Sequence, residues 1–212
     1  MEIFLEELGK RYRREWIFRD LNFQASGPEA VAVLGPNGAG KSTLIRIAAG
    51  LALPSVGRLG LRQGGTDYRD EEHTARCAFT APYLELPEEL SLRQLLRFHF
   101  RFRPLLQGLD PGELPALLDL ERFRDHAVQQ YSSGMKQRVK LGLTLFTDVP
   151  FLFLDEPLTN LDAAGGHWYQ ELIRNYRRDR FIMVASNRPE EYSFCTRTLQ
   201  LADHKPGRAE RG

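Results

Sequence analysis

The sequence predicts an α/β fold on a mainly parallel sheet, with an antiparallel β part at the N-terminus and a helical insertion in the middle. Three observations carry this. Short apolar runs of strand length alternate with helical periodicity over 29–50 and again over 133–201, the pattern that places parallel strands between covering helices. A Gly-rich loop stands between the first of these runs and its helix. Between about 70 and 130, helical patterning takes over, punctuated by Pro87, Pro104, Pro111 and Pro115.

Taken in order, 3–8 and 16–24 read as strands joined by a basic turn at 10–14. The run Glu29-Ala30-Val31-Ala32-Val33-Leu34, bounded by Pro28 and Gly35, reads as a strand buried on both faces. Helical spacing follows over 41–50 and is closed by Gly50. A short strand is expected at 58–61 and another around 77–79. Leu92, Leu95, Leu96, His99 and Phe100 recur at helical spacing. Then come a helix over 133–146, a strand over 150–154, a helix over 164–177 and strands at 181–185 and 198–201. The polar tail 203–212 is expected to fray. All 212 residues are expected to form one domain, with a core of about 1–69 and 148–202 and a helical subdomain of about 70–147.

Composition narrows the function. Hydrophobic residues make up 42% and charged residues 27% of the 212, enough for a packed core. A net charge of +1 gives no support for a nucleic-acid partner, which would call for a basic surface, and none is expected. No apolar run approaches the ~20 residues that span a bilayer. The start, Met1-Glu2-Ile3-Phe4-Leu5-Glu6-Glu7, has no signal-peptide pattern. Cys77 and Cys195 are the two cysteines, too few for a disulfide framework or a zinc site, and a reduced, cytoplasmic setting is expected.

Gly35-Pro36-Asn37-Gly38-Ala39-Gly40-Lys41-Ser42 matches the phosphate-loop pattern, in its required place between a buried strand and a helix. Its glycines let successive N–H groups turn inward around phosphate oxygens, and the helix N-terminus adds positive potential there. Lys41 would reach the β- and γ-phosphates, the Ser42 hydroxyl would hold Mg²⁺ and Thr43 would lie near the α-phosphate. The metal needs a second acidic partner. The strand Phe151-Leu152-Phe153-Leu154 ends in Asp155-Glu156, at the carboxyl edge where α/β sheets place ligands. Asp155 would be the Mg²⁺ partner, either directly or from behind a direct ligand, and Glu156 would orient the attacking water.

About a dozen residues before that strand stands Tyr131-Ser132-Ser133-Gly134-Met135-Lys136-Gln137-Arg138, a small, hydroxyl-bearing turn opening a helix. It resembles the signature loop of ABC ATPases, whose usual form is Leu-Ser-Gly-Gly-Gln. The order also resembles that family: phosphate loop, helical insertion, signature, acidic strand end with Pro157, then Thr159-Asn160-Leu161-Asp162, similar to the D-loop. The chain thus resembles the ATP-binding subunit of an ABC transporter, of the small single-cassette bacterial type, over nearly its whole length.

The resemblance implies a head-to-tail dimer with each ATP between the phosphate loop of one subunit and the signature of the other. Ser132, Ser133 and Gly134 would contact the γ-phosphate in trans, with Asp162 helping across the interface. Tyr12 resembles the aromatic that stacks on adenine, and Trp16 competes for that role. Separate transmembrane permease subunits would hold the chain peripherally on the inner face of the membrane. A soluble ABC ATPase of non-transport function and a nucleotide-gated module with slow hydrolysis are the other readings.

Three departures from the family stand out. Ser133 and Met135 replace the commoner Gly and Gln. Thr80-Ala81-Pro82-Tyr83 lacks the family's Gln near the metal, with Glu85 the nearest polar substitute. Asn187, after the strand 181–185, takes the place of a His that contacts the γ-phosphate. It is expected to act on the phosphate with one hydrogen bond and without the imidazole's charge. These changes bear on the rate of hydrolysis. Two Arg groups are further candidates. Arg93, Arg97, Arg101 and Arg103 interleave with Leu96, Phe98, Phe100 and Phe102, as a solvated basic face or as a surface for a membrane partner or headgroups. Arg174, Arg177, Arg178 and Arg180 read as a solvated helix end.

Overall fold

The computed structural model describes residues 1–204. Within them the chain divides into two compact units. The first comprises 1–79, 150–156 and the chain from 179 on; the second comprises 80–149 and 157–178.

The first unit holds two sheets. The antiparallel one has the order β2-β1-β4-β5, from β1 (Glu2–Tyr12), β2 (Glu15–Ser26), β4 (Val56–Gln63) and β5 (Thr66–Tyr68). The other has the order β6-β7-β8-β3-β9, from β3 (Ala30–Leu34), β6 (Cys77–Thr80), β7 (Phe151–Asp155), β8 (Phe181–Ala185) and β9 (Arg197–Gln200). β3 runs parallel to β8 and β9, and β7 parallel to β8. Every residue of β7 and β8 is buried, as continuous apolar runs require when both faces of a parallel sheet are covered. Helix α1 (Lys41–Ala48) packs Leu44, Ile45, Ile47 and Ala48 into the core with Phe151, Phe153, Phe181 and Met183. The short helices α2 (Asp70–Ala75) and α7 (Pro189–Tyr192) complete this unit.

The second unit is helical: α3 (Leu92–Phe102), α4 (Leu114–Leu117), α5 (Ser133–Leu145) and α6 (Ala163–Tyr176). Helix α3 starts with a capping box, in which Ser91 Oγ accepts from Gln94 N–H and the Gln94 side chain accepts from Ser91 N–H. It buries Leu92, Leu95 and Leu96 and leaves Arg93, Arg97, Phe98, Arg101 and Phe102 exposed. Its His99 is half-buried on Thr147 Oγ1 at 3.0 Å. Burial and the nearby Arg103 charge push that imidazole down to about 4, so it is neutral at physiological pH.

Several expectations are corrected. The first hairpin is longer than 3–8 and 16–24, and only Arg13 and Arg14 turn between its strands. β4 extends well beyond 58–61, and β5 carries no expected signal. α2 and β6 as far as Phe79 fall in the first unit although the sequence places them in the helical stretch. Arg180 is buried, and Arg178 donates to Gln107 O at 2.6 Å, so this group is not simply a solvated helix end. Residues Leu201–His204 form a 3-10 turn with Leu201 buried. The remainder of the tail expected to fray, 205–212, lies outside the described residues.

Candidate nucleotide site

The loop between β3 and α1 is shaped by its glycines. Gly40 is the residue before α1 and has φ 99°. A Cβ there would lie 2.4 Å from the Ile17 side chain, so both backbone conformation and space demand Gly. Ala39 N–H closes the turn on Pro36 O at 3.0 Å. Gly35, Gly38 and Gly40 all have positive φ, which lets the loop fold its N–H groups toward one centre.

Lys41 is the first residue of α1 and is only 6% exposed. Its Nζ donates to Gly35 O at 2.8 Å and to Pro36 O at 3.4 Å. The ammonium therefore lies across the mouth of its own loop, held by carbonyls that a phosphate can replace with a stronger, charged acceptor. Next to it, Ser42 Oγ donates to Asp155 Oδ1 at 3.0 Å, joining the start of α1 to the end of β7 across 113 residues of sequence. Thr43 follows in the first turn of the helix and is partly buried.

Asp155 is 2% exposed. Burial raises its carboxyl to about 6, with Ser42 lowering it, the Glu156 charge raising it and Lys41 lowering it. A buried carboxylate is costly without a cation. Ser42 Oγ and Asp155 Oδ1 are two hard oxygen donors side by side and fit Mg²⁺. Among the described residues no group of three or more His, Cys, Asp or Glu is placed to hold a metal ion. Mg²⁺ in nucleotide sites commonly needs only one or two protein oxygens, which is what this pair offers. Glu156 has φ 43° and its N–H donates to Ala185 O at 2.9 Å. Its side chain is exposed, unlike that of its buried neighbour.

Asn187 stands just past β8. Its Nδ2 donates to Asn37 Oδ1 in the phosphate loop at 3.0 Å. This contact is missing from the sequence reading, because its partners are 150 residues apart. Of the two aromatic candidates, Tyr12 at the end of β1 is 48% exposed, with Lys10 Nζ 5.0 Å from its ring centre. Trp16 is partly buried and has the guanidinium groups of Arg11 and Arg19 over its ring at 5.5 and 5.0 Å.

In the second unit, Ser132 caps α5: its Oγ accepts from Met135 N–H at 3.2 Å. Ser132 and Ser133 are exposed and Gly134 is partly so. A Cβ on Gly134 would sit 3.0 Å from Asn160 O, so the start of α5 lies tightly on the loop that leads to α6. Gln137, buried, donates to Pro157 O at 2.8 Å and fastens the same two segments. Its place in the sequence alone gives it no role. Asp162 caps α6, accepting from Gly165 N–H at 2.8 Å. Lys140 Nζ donates to Pro82 O at 2.7 Å, and Lys136 pairs with Glu88. Ala81 is fully buried, while Glu85 is exposed.

A family model described as ABC transporter matches residues 18–159. The Nod factor export ATP-binding protein I of Rhizobium johnstonii is 31% identical over 204 residues, which are 94% of this chain and 66% of that protein. The chain thus spans slightly less than two thirds of that relative's length. The cytochrome c biogenesis ATP-binding export protein CcmA of Brucella abortus is 32% identical over 190 residues, which are 89% of this chain and 86% of that protein. An ATP-binding cassette solved as a dimer in a post-hydrolysis state with ADP and Pi superimposes with a TM-score of 0.80. It is 23% identical, with 97% of each chain covered, and this likeness establishes the shared fold.

Proposed function

The chain belongs to the ABC transporter ATP-binding family, and from that premise we propose that it is the ATP-hydrolysing motor subunit of an ABC membrane transporter. The observation that carries this reading is the junction of Ser42 with Asp155 beside the buried Lys41. A hydroxyl and a carboxylate meet next to a cation at the carboxyl edge of a parallel sheet, as Mg²⁺-nucleotide chemistry requires.

In this reading the N–H groups of 35–43 and the Lys41 ammonium hold the phosphates and stabilise the charge that grows on the transferred group. Ser42 and Asp155 would hold Mg²⁺, which would supply charge neutralisation at the phosphates. Glu156, exposed beyond the buried strand, orients the water for in-line attack. Tyr12 is assigned to adenine, because half of the residue is open while Trp16 is partly buried.

The exposed Ser132, Ser133 and Gly134 contact the γ-phosphate bound by a second copy, so ATP joins two subunits head to tail and hydrolysis releases them. Asp162 acts at the same interface chiefly by shaping the start of α6. The two compact units are the halves of one cassette. Among the described residues no helix is long and apolar enough to cross a membrane, and we assign the transport path to separate permease subunits that hold the chain on the inner face. The names of the two relatives favour export. The buried Ala81 and the exposed Asn187 stand where the family carries Gln and His, and these two positions bear on the rate of turnover.

The test is Lys41→Ala in a titration with a fluorescent ATP analogue. The loop loses its side-chain cation, and affinity is expected to fall by at least about 100-fold, as for one lost charge-assisted contact of roughly 3 kcal/mol. Unchanged affinity contradicts the site.

A further inference from the structure

We propose that Asn187 is a positioning residue that acts on the nucleotide through Asn37, as a tether on the tip of the phosphate loop, rather than through a contact with the γ-phosphate. The proposal rests on the nucleotide reading of that loop. The tether has a rigid end and a soft end. The rigid end is β8, a fully buried strand. Ser186 follows it, also fully buried, and its Oγ accepts from Arg188 N–H at 2.8 Å. That local bond closes a tight turn around Asn187 and leaves its side chain exposed.

The soft end is the segment Pro36-Asn37-Gly38. It is exposed, and Gly35 and Gly38 flank it with φ 154° and 77°. Glycines permit the shape but do not hold it, and ordering them costs more conformational entropy than ordering other residues. Lys41 Nζ and the Ala39 N–H bind the carbonyls of Gly35 and Pro36. The contact that reaches the side chain of Asn37 comes from Asn187, with Nδ2 to Oδ1 at 3.0 Å. It uses the amide as donor and leaves the Asn37 backbone N–H for the ligand. A loop held this way is ordered before binding, and a preorganised site binds more tightly by the ordering cost it has already met.

This role differs measurably from a γ-phosphate contact. A tether serves any nucleotide that fills the loop, so ATP and ADP depend on it equally. A γ-phosphate contact serves ATP alone. The experiment titrates fluorescent ATP and ADP analogues into the whole chain as wild type, Asn37→Ala, Asn187→Ala, the double variant and Lys41→Ala. Both asparagines are exposed, so their removal leaves the core intact. Each single asparagine variant is expected to weaken ATP and ADP alike by about 3- to 10-fold, the range of one hydrogen bond. The double variant is expected to be no weaker than the worse single one, because both remove the same bond.

Three outcomes overturn the tether: loss of ATP affinity with ADP unchanged, multiplying effects in the double variant, or no effect of Asn187→Ala. If Lys41→Ala binds as well as wild type, the nucleotide reading falls and the tether falls with it. If Lys41→Ala loses nucleotide affinity and one of those three outcomes appears, only the tether falls.

Discussion

The two units put the same kind of chemistry to opposite use. In the first, the polar groups of the site are tied down within the unit. Lys41 is on loop carbonyls, Ser42 on Asp155, and Asn187 on Asn37. The carboxylate at its centre is buried at some cost, seen in its raised pKa. In the second, the signature hydroxyls are exposed at a helix start, and the bond given for Ser132 is a local cap. A buried, preorganised pocket suits the binding of a highly charged ligand, whereas an exposed cap suits a contact made only when a partner arrives. On the proposed function, the difference assigns affinity for nucleotide to the first unit and nucleotide-dependent association to the second.

Asp155→Asn breaks the comparison most strongly. Folding raises the Asp155 carboxyl from its ordinary 3.8 to about 6. Its stabilising proton is therefore fully present below about pH 4 and lost as pH rises through about 6. At neutral pH the charge is a burden on the folded state, worth up to about 3 kcal/mol from a shift of this size. Without nucleotide or Mg²⁺, the variant is expected to melt at a higher temperature than wild type at pH 7.5. The gap should close toward pH 4. A variant that melts lower at pH 7.5 means that the carboxylate is stabilised by its surroundings. With Mg²⁺ and ATP, the same variant loses metal-dependent turnover.

A smaller effect sharpens the account within the first unit. Tyr12→Ala is expected to weaken ATP and ADP by about 1–2 kcal/mol, the scale of one base–aromatic stack. Trp16→Ala is expected to leave both affinities unchanged and to lower the melting temperature, because Arg11 and Arg19 lose their aromatic partner. Equal affinity losses in both variants would remove the assignment of adenine to Tyr12. The smallest effect lies in the second unit. Ser132→Ala removes a helix cap, at about 1 kcal/mol of stability. Nucleotide affinity at low protein concentration should be unchanged, while ATP-dependent turnover falls. A drop in that affinity would mean that the signature loop serves its own subunit's nucleotide.

Particular residues show what the sequence could and could not reveal. The phosphate loop and the strand end at Asp155 were legible because each depends on a short pattern beside a continuous apolar run. The caps at Ser132 and Asp162 are local too. The reach of β1 to Tyr12 was not legible. Residues 9–12 are polar or Gly and lack strand alternation, and the turn uses Arg13 at φ 55° where a hairpin signal would show Asn or Gly. β5 has three residues and pairs with β4, so its signal lies in the partner strand. For Arg180, charge alone predicts solvent, whereas the fold buries it. The bond from Asn187 to Asn37 spans the chain and is visible only once β8 and β3 lie side by side.

The central claim is that ATP bound in the first unit joins two copies through the exposed start of α5. It is tested most directly by the mass of Glu156→Gln in solution, by size-exclusion chromatography with light scattering. On the proposed roles, removing the carboxylate leaves Lys41 and the loop N–H groups in place while the water loses its orienting base. The account predicts a monomer without nucleotide, a stable dimer with ATP and Mg²⁺, and no release of phosphate. A protein that stays monomeric at saturating ATP and Mg²⁺, or that hydrolyses ATP at the wild-type rate, would contradict it.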